Sequence, residues 1–295
     1  MRLKHLESAL SSLQREFPHP DVTLEQYPSS PPLAASVVWT AYERGDVGPS
    51  RTVLDLGAGT GLLTAAALVL ESDFVWAVDC DEEALRVAMD NVRLLFDNDD
   101  DDEEKDAILK APVSFVLAKV KSVNNNNNNN SNQPAKGSKG KKNHKHAKGG
   151  RGPRGRGHNN HNNTSSTQQV RDEILADGSG TDGIPLPDNC VDTVLTNPPF
   201  GTKHNNAGMD LRFLRVATRL ARRCVYSFHK TSTRAFLQQH VTEVWKLPLT
   251  VVAEMKFDLP HTMKFHKHAS VDVNVDLIRI DVSGPPPPPP PTTTT

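Results

Sequence analysis

Four consecutive residues, Asn197-Pro198-Pro199-Phe200, combine groups suited to one kind of chemistry. An amino nitrogen conjugated to a ring or a carbonyl is a poor nucleophile because its lone pair is delocalised. The Asn197 side-chain carbonyl and the Pro198 backbone carbonyl can accept its two N–H hydrogens and draw the lone pair out, while Phe200 stacks on the planar group. Two adjacent prolines hold that backbone rigid, as such electrostatic help requires. By themselves the four residues specify a planar amino nitrogen and not its owner. The N6 of an adenine and a glutamine amide both qualify, and a Pro-Pro turn that merely ends a strand is the bland alternative.

A second motif supplies a partner for that nitrogen. Asp55-Leu56-Gly57-Ala58-Gly59-Thr60-Gly61 follows a short apolar run, at the turn where a βα unit places a nucleotide. The spacing is D-x-G-x-G-x-G and not the G-x-G-x-x-G of a dinucleotide fold, and no lysine follows as a phosphate loop would demand. This favours S-adenosylmethionine over NAD or ATP. Asp79, some 20 residues on at the end of the next apolar run, is where a ribose hydroxyl pair is captured; its alternative is an ordinary helix N-cap. Neither a metal nor a titratable base is needed, because a sulfonium is an already activated methyl donor.

The elements that must position these motifs alternate in type. Strands are predicted at Thr52-Val53-Leu54-Asp55-Leu56, Phe74-Val75-Trp76-Ala77-Val78-Asp79, Val113-Ser114-Phe115-Val116-Leu117-Ala118, Val191-Asp192-Thr193-Val194-Leu195-Thr196 and Cys224-Val225-Tyr226-Ser227-Phe228. Helices are predicted over 62–70, 82–96, 210–221 and 231–240; in the second, Leu85, Ala88, Met89, Val92 and Phe96 share one face. Residues 249–259 and 270–281 read as a long, mostly buried antiparallel pair. The fold class is therefore α/β, an open doubly wound sheet of seven mostly parallel strands, binding ligand at the carboxyl ends of its strands.

Folded sequence falls into two blocks, about 1–121 and 184–283. Between them, residues 122–183 hold an Asn run and then Gly, Lys, Arg, His and more Asn. That composition has too little apolar surface to offset the entropy of ordering and reads as a disordered basic insertion. Residues 284–295 read as a polyproline-type tail. The net charge of −1 conceals segregation, since residues 97–106 are nearly all acidic and 136–156 carry Lys and Arg without an acid. Three dispersed cysteines, Cys80, Cys190 and Cys224, argue against both a disulfide framework and a CxxC metal site. His144, His146, His158 and His161 are too irregularly spaced for a structural metal. No apolar stretch reaches membrane-span length and the N-terminus lacks a signal-peptide core, which points to the cytosol or the nucleus.

Several further segments carry a family resemblance. Leu24-Glu25-Gln26-Tyr27-Pro28, the heptad from Asn197 to Lys203, Tyr226-Ser227-Phe228-His229-Lys230-Thr231-Ser232-Thr233-Arg234, Lys264-Phe265-His266-Lys267 and Val275-Asp276-Leu277-Ile278-Arg279 together resemble the methyltransferase-like-five family. The resemblance spans nearly all of both folded blocks. It implies methylation of N6 on one adenosine of small-subunit ribosomal RNA. It also implies that Gln26 and Ser29 help close over the cofactor, with Gly57, Thr60, Leu62, Asp79 and Asn197 around it. A further implication is a partner, a small zinc-binding methyltransferase activator protein paired with the strand Val113 to Ala118. Independently, an apolar edge strand invites β-augmentation. Relatives end that strand with an acid against the cofactor adenine, where this chain has Lys119; an alternative alignment through Ile174-Leu175-Ala176-Asp177 would restore one at Asp177. The richer strand composition of residues 113–118 favours Lys119.

For RNA, Lys203 extends the Asn197 motif, and Lys264, Phe265, His266 and Lys267 occupy the loop between the last two strands. Lysines on phosphate and an aromatic on a base suit an RNA loop, although a solvated loop with Phe265 turned to the core is equally compatible. The Arg-Gly run at 151–157 resembles basic tails that hold RNA without reading its sequence. Two other functions stay open on sequence alone: a protein glutamine-N5 methyltransferase and a catalytically silent RNA-binding protein.

Overall fold

The computed structural model describes residues 1–96, 111–121, 182–201, 206–260 and 270–284. The insertion 122–181, the acidic run at 97–106, Asp177, the tail beyond 284 and the four histidines of the insertion lie outside the described residues. Among the described residues thirteen helices and strands follow one another as α1 (Leu3–Ser11), α2 (Pro31–Glu43), β1 (Thr52–Leu56), α3 (Leu62–Val69), β2 (Phe74–Asp79), α4 (Glu82–Phe96), β3 (Val113–Leu117), β4 (Val191–Thr196), α5 (Met209–Leu220), β5 (Ala221–Lys230), α6 (Arg234–Gln239), β6 (Leu249–Pro260) and β7 (Ser270–Asp281). The strands form one seven-stranded sheet in the order β3-β2-β1-β4-β5-β7-β6. β1, β2, β3, β4 and β5 pair in parallel, and β7 runs antiparallel between β5 and β6. The order reverses between β1 and β4, so their carboxyl ends open the crevice that such a sheet uses for ligands.

The two motifs sit where that crevice requires them. Leu54 pairs with Trp76 on one side and Val194 on the other, and every side chain of β4 is buried. β1 and β4 are thus central strands with an apolar layer on each face, the condition under which a parallel strand reads as a continuous hydrophobic run. On one face Leu6 and Leu10 of α1, Val38 of α2, Ala66 of α3 and Val92 of α4 pack against Val53, Val75, Leu195 and Tyr226. On the other, Leu211, Leu214 and Leu220 of α5 and Leu237 of α6 cover Leu54, Val78, Val194 and Val225. No helix among the described residues is long and apolar enough to cross a membrane.

Differences from the sequence reading have local causes. α5 ends at Leu220 and β5 begins at Ala221, so the predicted helix gives up its last residue and the strand extends at both ends. Residues 231–240 are not one helix: a 3-10 turn (Thr231–Thr233) precedes α6, and a π-turn (His240–Val244) follows it. Asp276 of β7 accepts from Thr231 Oγ1 at 2.7 Å and from Arg234 Nε and Nη2 at 2.6 Å each. That anchor fixes the first turn against the sheet, overriding the propensity of the segment to wind as one α-helix. The strand predicted at 113–118 is formed over Val113–Leu117, one residue shorter, and lies at the sheet edge beside β2.

Candidate active site

A cavity of about 390 Å³ opens at the carboxyl ends of β1, β2 and β4. Its floor is the turn after β1, where Gly57 and Ala58 amides donate to the Val78 carbonyl at 2.8 and 3.0 Å. Gly57 and Gly59 have φ of +79° and +53°, a region that side chains rarely adopt. A Cβ on Gly57 would stand 3.1 Å from the Phe213 ring, and one on Gly59 3.1 Å from Phe17. Backbone therefore lines this wall because both glycines are hemmed in by aromatic rings.

Asp79 closes the β2 side. Its Oδ2 accepts from the Gly59 amide at 2.8 Å and its Oδ1 from the Asp81 amide at 3.0 Å. Burial raises its carboxyl above the ordinary value, opposed by these amide hydrogen bonds. Asp81, not Asp79, caps α4, accepting from the Glu83 amide at 2.9 Å. The helix-cap alternative for Asp79 thus falls to its neighbour. Asn91, almost fully buried on α4, donates from Nδ2 to the Thr60 carbonyl at 2.9 Å and to the Gln14 carbonyl at 2.8 Å, tying the glycine turn to the segment ahead of α2.

That segment covers the cavity. Gln26 donates to Asp81 Oδ2 at 2.7 Å, and Ser29 Oγ receives Asn197 Nδ2 at 3.3 Å. Asn206, just after the Asn197 motif, donates to the Thr23 carbonyl at 2.7 Å and to Glu25 Oε1 at 3.2 Å. Glu25 is held at φ +52°, which costs a side-chain-bearing residue on the order of 1 kcal/mol. On the far side, Asn197, Pro198, Pro199 and Phe200 all line the space. Phe200 meets Phe257 of β6 edge-on, with ring centroids 6.0 Å apart, and Phe257 meets Phe228 of β5 in the same manner at 5.4 Å. Thr196 Oγ1 anchors the end of β4 to the Leu56 carbonyl at 2.6 Å, fixing the separation of the two motifs.

The lining thus brings together Gln26, Ser29, Gly57, Gly59, Thr60, Leu62, Asp79, Asn197, Pro198, Pro199 and Phe200. Lys119 stands at the rim beside Ala118 and Val120, after the edge strand. Two residues expected to touch a ligand do not line the cavity. Asp55 is turned inward, its Oδ2 accepting from Thr64 N at 2.9 Å and Oγ1 at 2.7 Å, and so joins β1 to α3. Gly61 faces α4, where a Cβ would be 2.7 Å from that of Ala88; its glycine serves helix packing. Lys203, Lys264, Phe265, His266 and Lys267 lie outside the described residues. Sequence reasoning missed Phe17, Asn206, Phe213 and Phe257, which reach the cavity from two loops, α5 and β6 and carry no local pattern.

Burial raises the Asp55 carboxyl from 3.8 to about 7. Between those values the folded protein keeps a proton that the unfolded chain has released. Its contribution to stability is therefore full below about pH 4 and declines as pH rises toward 7. Against Asp55→Asn, which keeps an acceptor for Thr64, the wild type should lose stability on the order of 1 kcal/mol per pH unit from pH 5 to 7. Urea denaturation of both proteins at pH 5, 6 and 7 measures the difference; parallel pH curves would disprove the assignment.

A family model described as ribosomal protein L11 methyltransferase (PrmA) matches residues 38–118, the stretch containing the glycine turn and Asp79. The rRNA N(6)-adenosine-methyltransferase METTL5 of Danio rerio is 33% identical over 280 residues, 95% of this chain and 98% of that protein. The chain belongs to the METTL5 family. Its member from Drosophila melanogaster is 30% identical over 282 residues, 96% of this chain and 97% of the fly protein. In three dimensions PH1948 of Pyrococcus horikoshii shares the fold, with a TM-score of 0.57 and 24% identity over 95% of this chain and 98% of the archaeal one. The METTL5 match runs the length of both motif-bearing halves, whereas the L11 methyltransferase match stops before Asn197.

Proposed function

We propose that this protein transfers the methyl group of S-adenosylmethionine to N6 of one adenosine in small-subunit ribosomal RNA. The observation that carries the reading is the placement of Asn197-Pro198-Pro199-Phe200 across one cavity from Gly57, Gly59 and Asp79. The residues present suit the cofactor. Backbone bared by the two glycines admits a ligand closely, and the Asp79 carboxylate at the β2 end can accept ribose hydroxyls. When bound, the cofactor supplies a methyl group on a sulfonium, which leaves as a neutral sulfide.

The chain's own residues then act on the acceptor. The Asn197 Oδ1 and the Pro198 carbonyl accept hydrogen bonds from the two N–H groups of the adenine amine, with Asn197 oriented by its Nδ2 contact to Ser29, and the proton the nitrogen loses after transfer passes to water. Phe200, braced edge-on by Phe257, stacks on the base. In this reading Lys203, Lys264, Phe265, His266 and Lys267 hold the surrounding RNA through phosphate contacts and stacking. The names of the METTL5 relatives favour RNA as substrate. Likeness to L11 methyltransferases favours protein, but it is confined to the cofactor half and is silent on the acceptor. Incubation with labelled S-adenosylmethionine and either ribosomal subunits or release factors decides between them. Label in RNA is the expected result; label only in protein would refute the proposal.

The partner in this reading is a small zinc-binding activator added to the sheet at β3. Supporting it, β3 forms an edge of the sheet and Leu117 at its end is 57% exposed. Hydrogen exchange of the amides at 113–117 should slow at least about tenfold in the complex, as newly paired strand amides do. Unchanged exchange there in a confirmed complex would place the partner elsewhere.

A further inference from the structure

His229 of β5 is 1% exposed, yet only one of its two ring nitrogens has a hydrogen-bond partner. Its Nε2 lies 2.9 Å from Oγ of Ser227, which is itself fully buried. Its Nδ1 faces Asp210 Oδ2 at 3.7 Å, beyond hydrogen-bond reach. Folded proteins seldom leave a buried polar atom in this state, because it has given up water and gained nothing. A second carboxylate, Asp276 of β7, stands opposite His229 in the strand pairing but is already held by Thr231 and Arg234. Asp210 is largely buried, and among the described residues its carboxylate accepts no hydrogen bond. Ser227 pairs with Thr196, and the same parallel register carried two residues further sets His229 beside Pro198. Asp210 lies in the first turn of α5, next to Met209, and both Met209 and Phe213 line the cavity. One buried imidazole therefore stands between the start of the loop that carries Asn197 and the helix at which that loop ends.

We infer that His229 is a positioning residue for methyl transfer: its Nδ1 completes a hydrogen bond to Asp210 when the acceptor adenine enters, locking the loop between Asn197 and α5 in its reactive arrangement. This rests on the function proposed above. The neutral ring suffices, because Ser227 can donate its hydroxyl hydrogen to Nε2 while Nδ1 carries the hydrogen that Asp210 accepts. Closing the gap to an ordinary bond of about 2.8 Å asks for a movement of less than about 1 Å, as binding sites commonly make. Adenine acts at the near end of the loop, where Asn197 and the Pro198 carbonyl take its two N–H groups. At the far end a buried donor gains a charged acceptor, which favours the acceptor-bound arrangement over the free one.

Two substitutions in the full-length protein separate the ring nitrogens, since an Asn amide lies near the place of Nδ1 and a Gln amide near that of Nε2. His229→Asn can still donate to Asp210, whereas His229→Gln keeps only the Ser227 bond. In single-turnover assays on small ribosomal subunits with saturating labelled cofactor, His229→Gln should slow transfer about 10- to 100-fold and His229→Asn less than about fivefold, the scale of a small misplacement at the reacting centre. Calorimetric affinity for S-adenosylmethionine should stay within about twofold in both, as the glycine turn and Asp79 are untouched. Nuclear magnetic resonance of wild-type protein labelled with ¹⁵N at histidine reads the bond itself, with the His229 signal assigned by its loss in His229→Gln. With S-adenosylhomocysteine alone no strongly downfield Nδ1–H is expected; adding the RNA fragment that bears the methylated adenosine should produce one. Equal losses in the two variants, no loss in either, or a downfield Nδ1–H that is present without RNA or missing with it would overturn the assignment. Thermal denaturation shows whether each variant folds, and if one does not, the wild-type spectrum decides alone. A wild type that methylates no RNA would instead refute the proposed function, and this inference with it.

Discussion

Replacing Asn197 by Ala is expected to lower methyl transfer by about 10² to 10³-fold, the usual effect of removing one preorganised hydrogen-bonding group from the reacting centre. Cofactor affinity should change by less than about threefold, since the glycine turn and Asp79 lie across the cavity and retain their contacts. The reason is geometric. Asn197 follows a strand whose end is pinned to β1 by Thr196, and Ser29 fixes the orientation of its amide. An Ala there leaves the nitrogen lone pair in the ring at the moment it must attack. Asn197→Asp keeps an oxygen acceptor while losing the donor to Ser29, and should retain measurable turnover. Single-turnover assays with saturating labelled cofactor, alongside calorimetric binding, separate the two effects. Undiminished turnover in Asn197→Ala would refute the assigned role.

The largest effect on stability is expected at Arg279→Leu. Asp46, 2% exposed in the loop ahead of β1, accepts from Arg279 Nε at 2.8 Å and from the Tyr226 hydroxyl at 2.8 Å. Arg279 and Tyr226 face each other across the β5–β7 pairing, so a single carboxylate ties the antiparallel part of the sheet to the start of the parallel part. The Thr193 hydroxyl also donates to the Asp46 backbone carbonyl, adding β4 to the same junction. Removing the guanidinium leaves the buried Asp46 carboxylate with the Tyr226 hydroxyl and the more distant Arg223, 3.9 Å away, so the cost should fall at the lower end of the roughly 3–5 kcal/mol of a broken buried pair. Asp46→Asn in the Arg279→Leu background removes that charge and should recover part of the loss. Urea denaturation measures both; a loss below about 1 kcal/mol would show that the pair is not buried as the structure has it.

These two effects also divide what the sequence made legible from what it did not. The cofactor half could be read because its chemistry is contiguous: strand, glycine turn, helix, then a strand ending in Asp79, all within residues 52–79. The Asn197 motif was legible for the same reason. Of the cover of the cavity, Gln26 and Ser29 were named through the family resemblance; the contacts that hold it in place were not legible, because they depend on meetings between distant segments. Asn206 reaches back to Thr23 and Glu25, Phe257 reaches Phe200 from β6, and Asn91 joins Thr60 to Gln14. None of these residues has a local signature, since Asn and Phe occur in many surroundings. Asp55 shows the converse: its place in the motif suggested contact with a ligand, but its side chain turns into the protein to meet Thr64. A motif states which residues surround a turn without stating which way each one faces. The same holds for Asp46 and Arg279, which are 233 residues apart in sequence and adjacent in the fold.

We propose above all that this cavity methylates the amino nitrogen of an adenine in small-subunit ribosomal RNA. The most direct test is to incubate unmethylated small subunits with the protein, the proposed activator and S-adenosylmethionine bearing a heavy methyl group. The RNA is then digested to nucleosides and analysed by mass spectrometry. Heavy N6-methyladenosine, present with the wild type and missing with Asn197→Ala, is the predicted result. A heavy methyl group found only on another nucleoside, or only on ribosomal protein, would contradict it.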